Sequence, residues 1–392
     1  MLNFISEDMR RNPYPLYAQM RSVSPVLAVP GGEIWMILDH EGVKRAILDH
    51  DTFSSRAAPP GGGPLDWMIF TDPPRHTKLR SIVVKAFTPR SIAGLEPRIR
   101  ELSRELVDRT IERGEMDLCA DYAVQLPILV IAEMLGIPLA DRDRFKRWSD
   151  AILNLSQTIG GGEEGARAAR EFGAAREEIR AYLAGILPER RRAPKDDLLT
   201  RLVEAEVDGE RLGEDEILDF FLLLLLAGSE TTTNLITNAI LCLLDHPSEL
   251  ARLRASPALW PSAIEEVLRY RSPVQAVFRT PRRDVEVHGQ PIPAGKLVLA
   301  MIGSANRDPK VFEAPERFDV GRDPNPHVGF GHGIHFCIGA PLARLEAKVA
   351  LPDLVSRLEG LRLASDAPWE PRKTLHVHGP TRLPIRFEPG RR

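Results

Sequence analysis

The chain has 392 residues, 43% hydrophobic and 27% charged, with a formal net charge of −3. That balance describes a globular protein with a sizeable core and leaves no electrostatic footprint for nucleic acid. Three cysteines, Cys119, Cys242 and Cys337, are too few and too widely spaced for a disulfide framework, which points to a reducing compartment.

Residues 1–8 hold neither a basic segment nor a long apolar run, so a cytoplasmic protein without a membrane anchor is expected. An early β-rich portion, about residues 25–40, contains strand signals at 26–29 and 34–38 joined by Pro30-Gly31-Gly32. Helical spacing of apolar residues then predicts helices over 77–86, 92–112, 127–135 and 142–156. Residues 163–187, rich in Ala, Glu and Arg, read as a partly exposed helix, and Glu189-Arg190-Arg191-Arg192 as a solvated loop after it. Strand signals return at 285–287, 297–300 and 383–387. With no linker composition anywhere, the expectation is a single domain over 1–392, mainly α with small β-sheets.

From about 214 to 245 the pattern stays helical, roughly 45–50 Å at 1.5 Å per residue. Phe220-Phe221-Leu222-Leu223-Leu224-Leu225-Leu226 is apolar all round and belongs in an interior. Ala227-Gly228-Ser229-Glu230-Thr231-Thr232-Thr233-Asn234 follows. Six polar residues in mid-helix are costly unless they are hydrogen-bonded or line a wet site. Further on, Glu266-Val267-Leu268-Arg269 sets a carboxylate and a guanidinium three residues apart on one helix face.

The most informative segment is Phe330-Gly331-His332-Gly333-Ile334-His335-Phe336-Cys337-Ile338-Gly339. Its three glycines permit tight turns and close approach to a ligand. Ala340-Pro341-Leu342-Ala343-Arg344 then reads as a helix start, with proline in the first turn. Cys337 therefore sits at a helix N-terminus, where the macrodipole and unpaired N–H groups favour a thiolate. That thiolate suits a nucleophile or a soft metal ligand. With no second cysteine nearby, a single thiolate on haem iron fits best.

This loop resembles the haem-thiolate signature of the cytochrome P450 family, Phe-Gly-x-Gly-x-His-x-Cys-x-Gly, and fills every fixed position. Residues 227–231 resemble the family's Ala-Gly-x-Asp/Glu-Thr motif. Glu266, Arg269 and Arg317, the last in Pro315-Glu316-Arg317-Phe318, resemble its structural Glu-x-x-Arg group and partner arginine. The three motifs stand in the family's order over nearly the whole chain, and the resemblance is to soluble bacterial members.

The resemblance implies the P450 fold, with haem b between the long helix and the helix of the cysteine loop. It implies Cys337 as iron ligand, with Phe330, Gly331, Gly339 and Ala227 around the haem. His76 and Arg80, at i,i+4 on one helix face, would join Arg279 and His335 in holding the propionates. Arg75, beside His76, departs from the glutamate often found there. Glu230 would relay protons from solvent and Thr231 would stand beside bound oxygen, while small Ala227 and Gly228 leave room. Trp67, Phe70, Leu223, Ala227, Gln275, Ala276, Val277 and Val377 would line the substrate pocket, and Gly61-Gly62-Gly63 and Gly160-Gly161-Gly162 would flank a mobile entrance.

The implied activity is monooxygenation of a hydrophobic small molecule (fatty acid, terpenoid or steroid-like) by a monomer. Electrons from NAD(P)H would come through a ferredoxin or flavodoxin and its reductase, no reductase being fused. A haem-binding gas sensor is the competing class, and it needs no acid–alcohol pair.

Overall fold

The computed structural model describes residues 6–56, 67–154, 162–374 and 376–391. Gly61-Gly62-Gly63 and Gly160-Gly161, five of the six glycines behind the expected entrance, lie outside the described residues; Gly162 opens a helix with φ +69°. The chain divides into two compact units. The first comprises Met1–Ala57, Arg100–Gln125 and Thr231–Arg392, the second Ala58–Ile99 and Leu126–Glu230.

The first unit holds most of the β-structure. Its strands are β1 (Val26–Ala28), β2 (Ile34–Ile37), β3 (Phe53–Ser54) and β4 (Glu115–Asp117). The second unit contributes the short hairpin β5 (Glu206–Val207) and β6 (Glu210–Arg211). Back in the first are β7 (Val277–Pro281), β8 (Val285–Val287), β9 (Gln290–Ile292), β10 (Leu297–Ala300), β11 (Arg362–Leu363) and β12 (Pro384–Arg386). The main sheet runs β1-β2-β10-β7-β3. Only β2 and β10 pair in parallel; the other neighbours are antiparallel. Val277 faces Ala300 and Arg279 faces Val298 across the β7–β10 ladder. Ile37, Phe53, Val298 and Ala300 bury one face of this sheet with Val43, Ala46 and Ile47 of the helix His40–Leu48.

The second unit is a set of packed helices. Arg142–Leu153 lies on Gly162–Arg192, with Trp148 Nε1 donating to Glu178 Oε2 at 3.0 Å and the Arg144 guanidinium 5.2 Å from the Trp148 ring. The long helix Glu214–Asp245 has the predicted bounds. By length and composition it could cross a bilayer, but 78% of its apolar window is buried, so it is a core helix.

Two predicted elements change. The helix expected over 92–112 is broken into Pro89–Ala93, Glu96–Asp108 and the 3₁₀ turn Ile111–Arg113, because Gly94 caps the first piece and Pro97 suits only a helix start. The Glu189–Arg192 run is not a solvated loop: it is the last turn of Gly162–Arg192, which continues through Pro188. Arg190 is buried there, its Nε 2.7 Å from Asp197 and its Nη2 donating to the Gly136 carbonyl at 3.1 Å. A buried ion pair overrode a composition that reads as surface.

Candidate active site

Cys337 is the one thiol that is not buried, since Cys119 and Cys242 lie in the core. Burial pushes both core thiols up to about 12, so they stay protonated and inert. Cys337 lies three residues before the helix Ala340–Arg357, which has proline in its first turn. Its N–H donates to the Phe330 carbonyl at 2.9 Å and its own carbonyl accepts from Ala340 N at 3.3 Å, closing the loop. Gly331 and Gly333 adopt φ +71° and +72°, where a side chain would be strained. Gly339 has an ordinary φ, and a Cβ there would make an ordinary contact with Cys337 Sγ at 3.9 Å, so neither strain nor space in the fold requires glycine at this position.

Behind the loop, the helix Trp260–Tyr270 supplies Glu266, which is fully buried. Arg269 meets it in a two-pronged contact, Nε at 2.7 Å and Nη2 at 2.8 Å, and also donates to the carbonyls of Asn306, Pro315 and Arg317. Arg317, expected as the partner arginine of this group, does not reach Glu266 with its side chain. Its side chain is 67% exposed and stands 3.8 Å from Asp319. Arg322 occupies the expected place instead, with Nε 3.1 Å from Glu266 Oε2. Asn325 Nδ2 and the Asp319 N–H complete the donors to Glu266. The buried carboxylate is thereby surrounded by side-chain and backbone donors.

The polar stretch of the long helix separates into two groups. Thr233 Oγ1 donates to the Ala123 carbonyl at 2.9 Å, and Thr237 Oγ1 bonds back to the Thr233 carbonyl at 2.9 Å. Asn234 Oδ1 accepts from Arg372 Nε at 2.9 Å. These satisfy the cost of burial by packing contacts. Thr232 hydrogen-bonds Glu346, a fully buried acid of the cysteine helix whose carboxyl burial raises to about 8. Glu230 is buried and Thr231 half-buried. Ala227 is exposed, although Phe221–Leu225 before it and Ser229 after it are buried. Gly228 has a second reason to be small: a Cβ there would meet Ile131 Cδ1 at 2.9 Å.

Of the cationic set, the second unit holds His76, buried, and Arg80, half-buried, one turn apart in the helix Arg75–Ala86. Arg75 pairs with Glu216 near the surface. In the first unit, Arg279 on β7 is buried and donates to the Phe278 carbonyl at 2.7 Å, and His335 Nε2 stands 2.9 Å from Ser55 Oγ.

Among the expected pocket residues, Trp67 stacks on Phe70 at 6.4 Å and 16°. Leu223, Ala276 and Val377 are buried, and Val277 is half-buried on β7. Gln275 is a different case. Its Nε2 donates to the Ser272 carbonyl at 2.7 Å and contacts Tyr14 Oη at 3.4 Å, and its amide presses on Gly303, where a Cβ would clash at 2.0 Å. That side chain is committed to packing.

A lone soft sulfur, raised on a glycine loop at a helix N-terminus, with no second cysteine near it, fits one axial position on haem iron and does not fit zinc or a cluster. The family model for cytochrome P450 matches residues 165–256 and 258–381. Cytochrome P450 107B1 of Saccharopolyspora erythraea is 43% identical over 392 aligned positions, covering 94% of each chain. The vitamin D(3) 25-hydroxylase of Pseudonocardia autotrophica is 39% identical, covering 97% of this chain and 94% of its own. The crystal structure of CYP109E1 from Bacillus megaterium in complex with corticosterone superposes with TM-score 0.90 at 38% identity, over 97% of this chain and 100% of that one. The chain belongs to the cytochrome P450 family. It is a haem b-dependent monooxygenase that uses O2 and takes NAD(P)H-derived electrons from partner proteins.

Proposed function

We propose that Cys337 would hold the haem iron through its thiolate and that the residues around it serve hydroxylation or epoxidation of a hydrophobic small molecule. The observation that carries this is the isolation of one accessible thiol at the N-terminus of Ala340–Arg357, while the other two cysteines are sealed in the core. Bound haem supplies redox-active iron and activation of dioxygen, which a thiolate ligand favours by donating electron density. His76, Arg80, Arg279 and His335 hold the propionates, and Phe330, Gly331 and Gly339 flank the sulfur. Glu230 takes protons from solvent and Thr231 passes them on through its hydroxyl.

Leu223, Ala227, Ala276, Val277, Val377, Trp67 and Phe70 offer apolar surface and no charge, which suits a neutral, largely apolar substrate. Steroid-like molecules are favoured because a structural neighbour holds corticosterone and a relative is a vitamin D(3) 25-hydroxylase. A ferredoxin or flavodoxin is the electron donor, the enzyme works as a monomer, and the compartment is the cytoplasm. Titrating the ferric protein with steroids, fatty acids and terpenoids tests the substrate class. The steroid set is expected to shift the iron's spin state at micromolar concentration; shifts by small hydrophilic compounds alone would overturn it.

A further inference from the structure

Glu265 and Glu266 are adjacent in the helix Trp260–Tyr270 but serve different neighbours. Glu265 holds Arg344 in a two-pronged contact, Oε1 to Nε at 2.7 Å and Oε2 to Nη2 at 2.8 Å. Its Oε2 also lies 2.9 Å from His327 Nε2. Because the Gly329 N–H donates to His327 Nδ1 at 3.1 Å, the ring proton sits on Nε2 and points at Glu265. Both bases flank the cysteine loop. The Arg344 guanidinium lies 4.4 Å from the Phe330 ring, and the Phe330 carbonyl receives the Cys337 N–H.

We propose that Glu265 is a positioning residue for the Cys337 ligand: it fixes Arg344 beside the loop, cancels most of that charge, and so sets the positive potential at the thiolate. The proposal rests on the reading of Cys337 as the iron ligand. Burial alone would raise the Glu265 carboxyl, yet hydrogen bonds from Arg344 and His327 bring it down to about 2, so it is ionised wherever the enzyme works. Arg344 is held charged first by the hydrogen bonds it donates to Glu265, and Cys337 adds to the effect. A surface ion pair is ordinarily worth little. Two-pronged geometry and the seat on an aromatic ring distinguish this one.

A thiolate facing more positive charge donates less to ferric iron, so reduction becomes easier. Arg344 is 38% exposed, and solvent screening limits the effect. Glu265→Gln keeps the shape, frees the Arg344 charge, and is expected to favour the ferrous state about tenfold, about 59 mV for one electron. Arg344→Gln is expected to move the midpoint the opposite way, and the double variant to return near wild type.

The test is spectroelectrochemical titration of the haem-loaded proteins, with the ferrous–CO spectrum recorded for each. Opposite shifts that cancel in the double variant, under an intact red-shifted band, support the proposal. Unchanged midpoints, or both single variants moving together, overturn it, since a loosened loop would act in one direction. If wild type itself lacks the red-shifted band, the Cys337 reading fails instead. Should Glu265→Gln not load haem, Arg344→Gln alone decides, an unchanged midpoint counting against the proposal.

Discussion

Arg322 reaches Glu266 across 56 residues of sequence, and its Nε comes to 3.1 Å from that fully buried carboxylate. Arg317, five residues earlier, takes part only through its backbone carbonyl, which accepts from Arg269 Nη2 and Arg322 Nη2. Arg322→Ala is therefore expected to destabilise the protein by about 2 kcal/mol, the size of a lost hydrogen bond to a buried charge. Arg317→Ala is expected to stay within about 0.5 kcal/mol. Chemical denaturation of the two variants side by side checks this; equal losses would return Arg317 to the core.

Cys337→Ser should abolish the strongly red-shifted Soret band of the ferrous–CO complex. Cys119→Ser and Cys242→Ser should keep it, because both sulfurs are buried in the core. A variant at Cys337 that retained the band would remove the ligand assignment.

Thr231→Ala is expected to uncouple turnover. Product should fall about 100-fold, the usual scale of a lost proton-transfer group, while NAD(P)H consumption persists and hydrogen peroxide accumulates. Glu230→Gln should slow product formation without the same release of peroxide. Product, cofactor and peroxide measured in one assay separate the two roles, and undiminished coupling in Thr231→Ala would show that the hydroxyl is dispensable.

Glu346 predicts a pH effect on stability. Its carboxyl is raised to about 8 in the folded protein from 4.5, chiefly by burial, with Thr232 pulling the other way. Between those values the folded state holds a proton that the unfolded state has lost, so stability falls as pH rises, by up to about 1.4 kcal/mol per unit. Below pH 4.5 both states are protonated and the group contributes nothing. Glu346→Gln should match wild type in thermal melts near pH 4.5 and gain on it steadily up to about pH 8. A difference that is flat with pH would mean the acid is ionised in the fold.

How much of this was legible in the chain depends on how local the signal is. The cysteine loop, Glu230–Thr231 and the long helix are contiguous, and the helix bounds agree at Glu214 and Asp245. Arg322 was invisible because its selection over Arg317 depends on how the chain turns after Asp319, not on residue type. Arg190 was misread for a similar reason: its partner Asp197 lies beyond the helix end, and a run of arginines looks like surface until that carboxylate is found. Gly228 looked like room for a ligand, and only the approach of Ile131 shows its packing use. Glu265 carried one faint signal, a second acid directly before the Glu-x-x-Arg group, and nothing in the sequence connected it to Arg344.

The unequal burial of the three thiols makes the protein a self-reporting reagent. Cys119 and Cys242 are held protonated and out of reach, so an alkylating probe applied to the native fold has one target. With Cys337 as the iron ligand proposed above, the moles of label taken up per mole of protein would count the molecules whose Cys337 is uncoordinated. An expression batch can thus be graded for cofactor loading by mass spectrometry, without a chromophore and before any substrate is known.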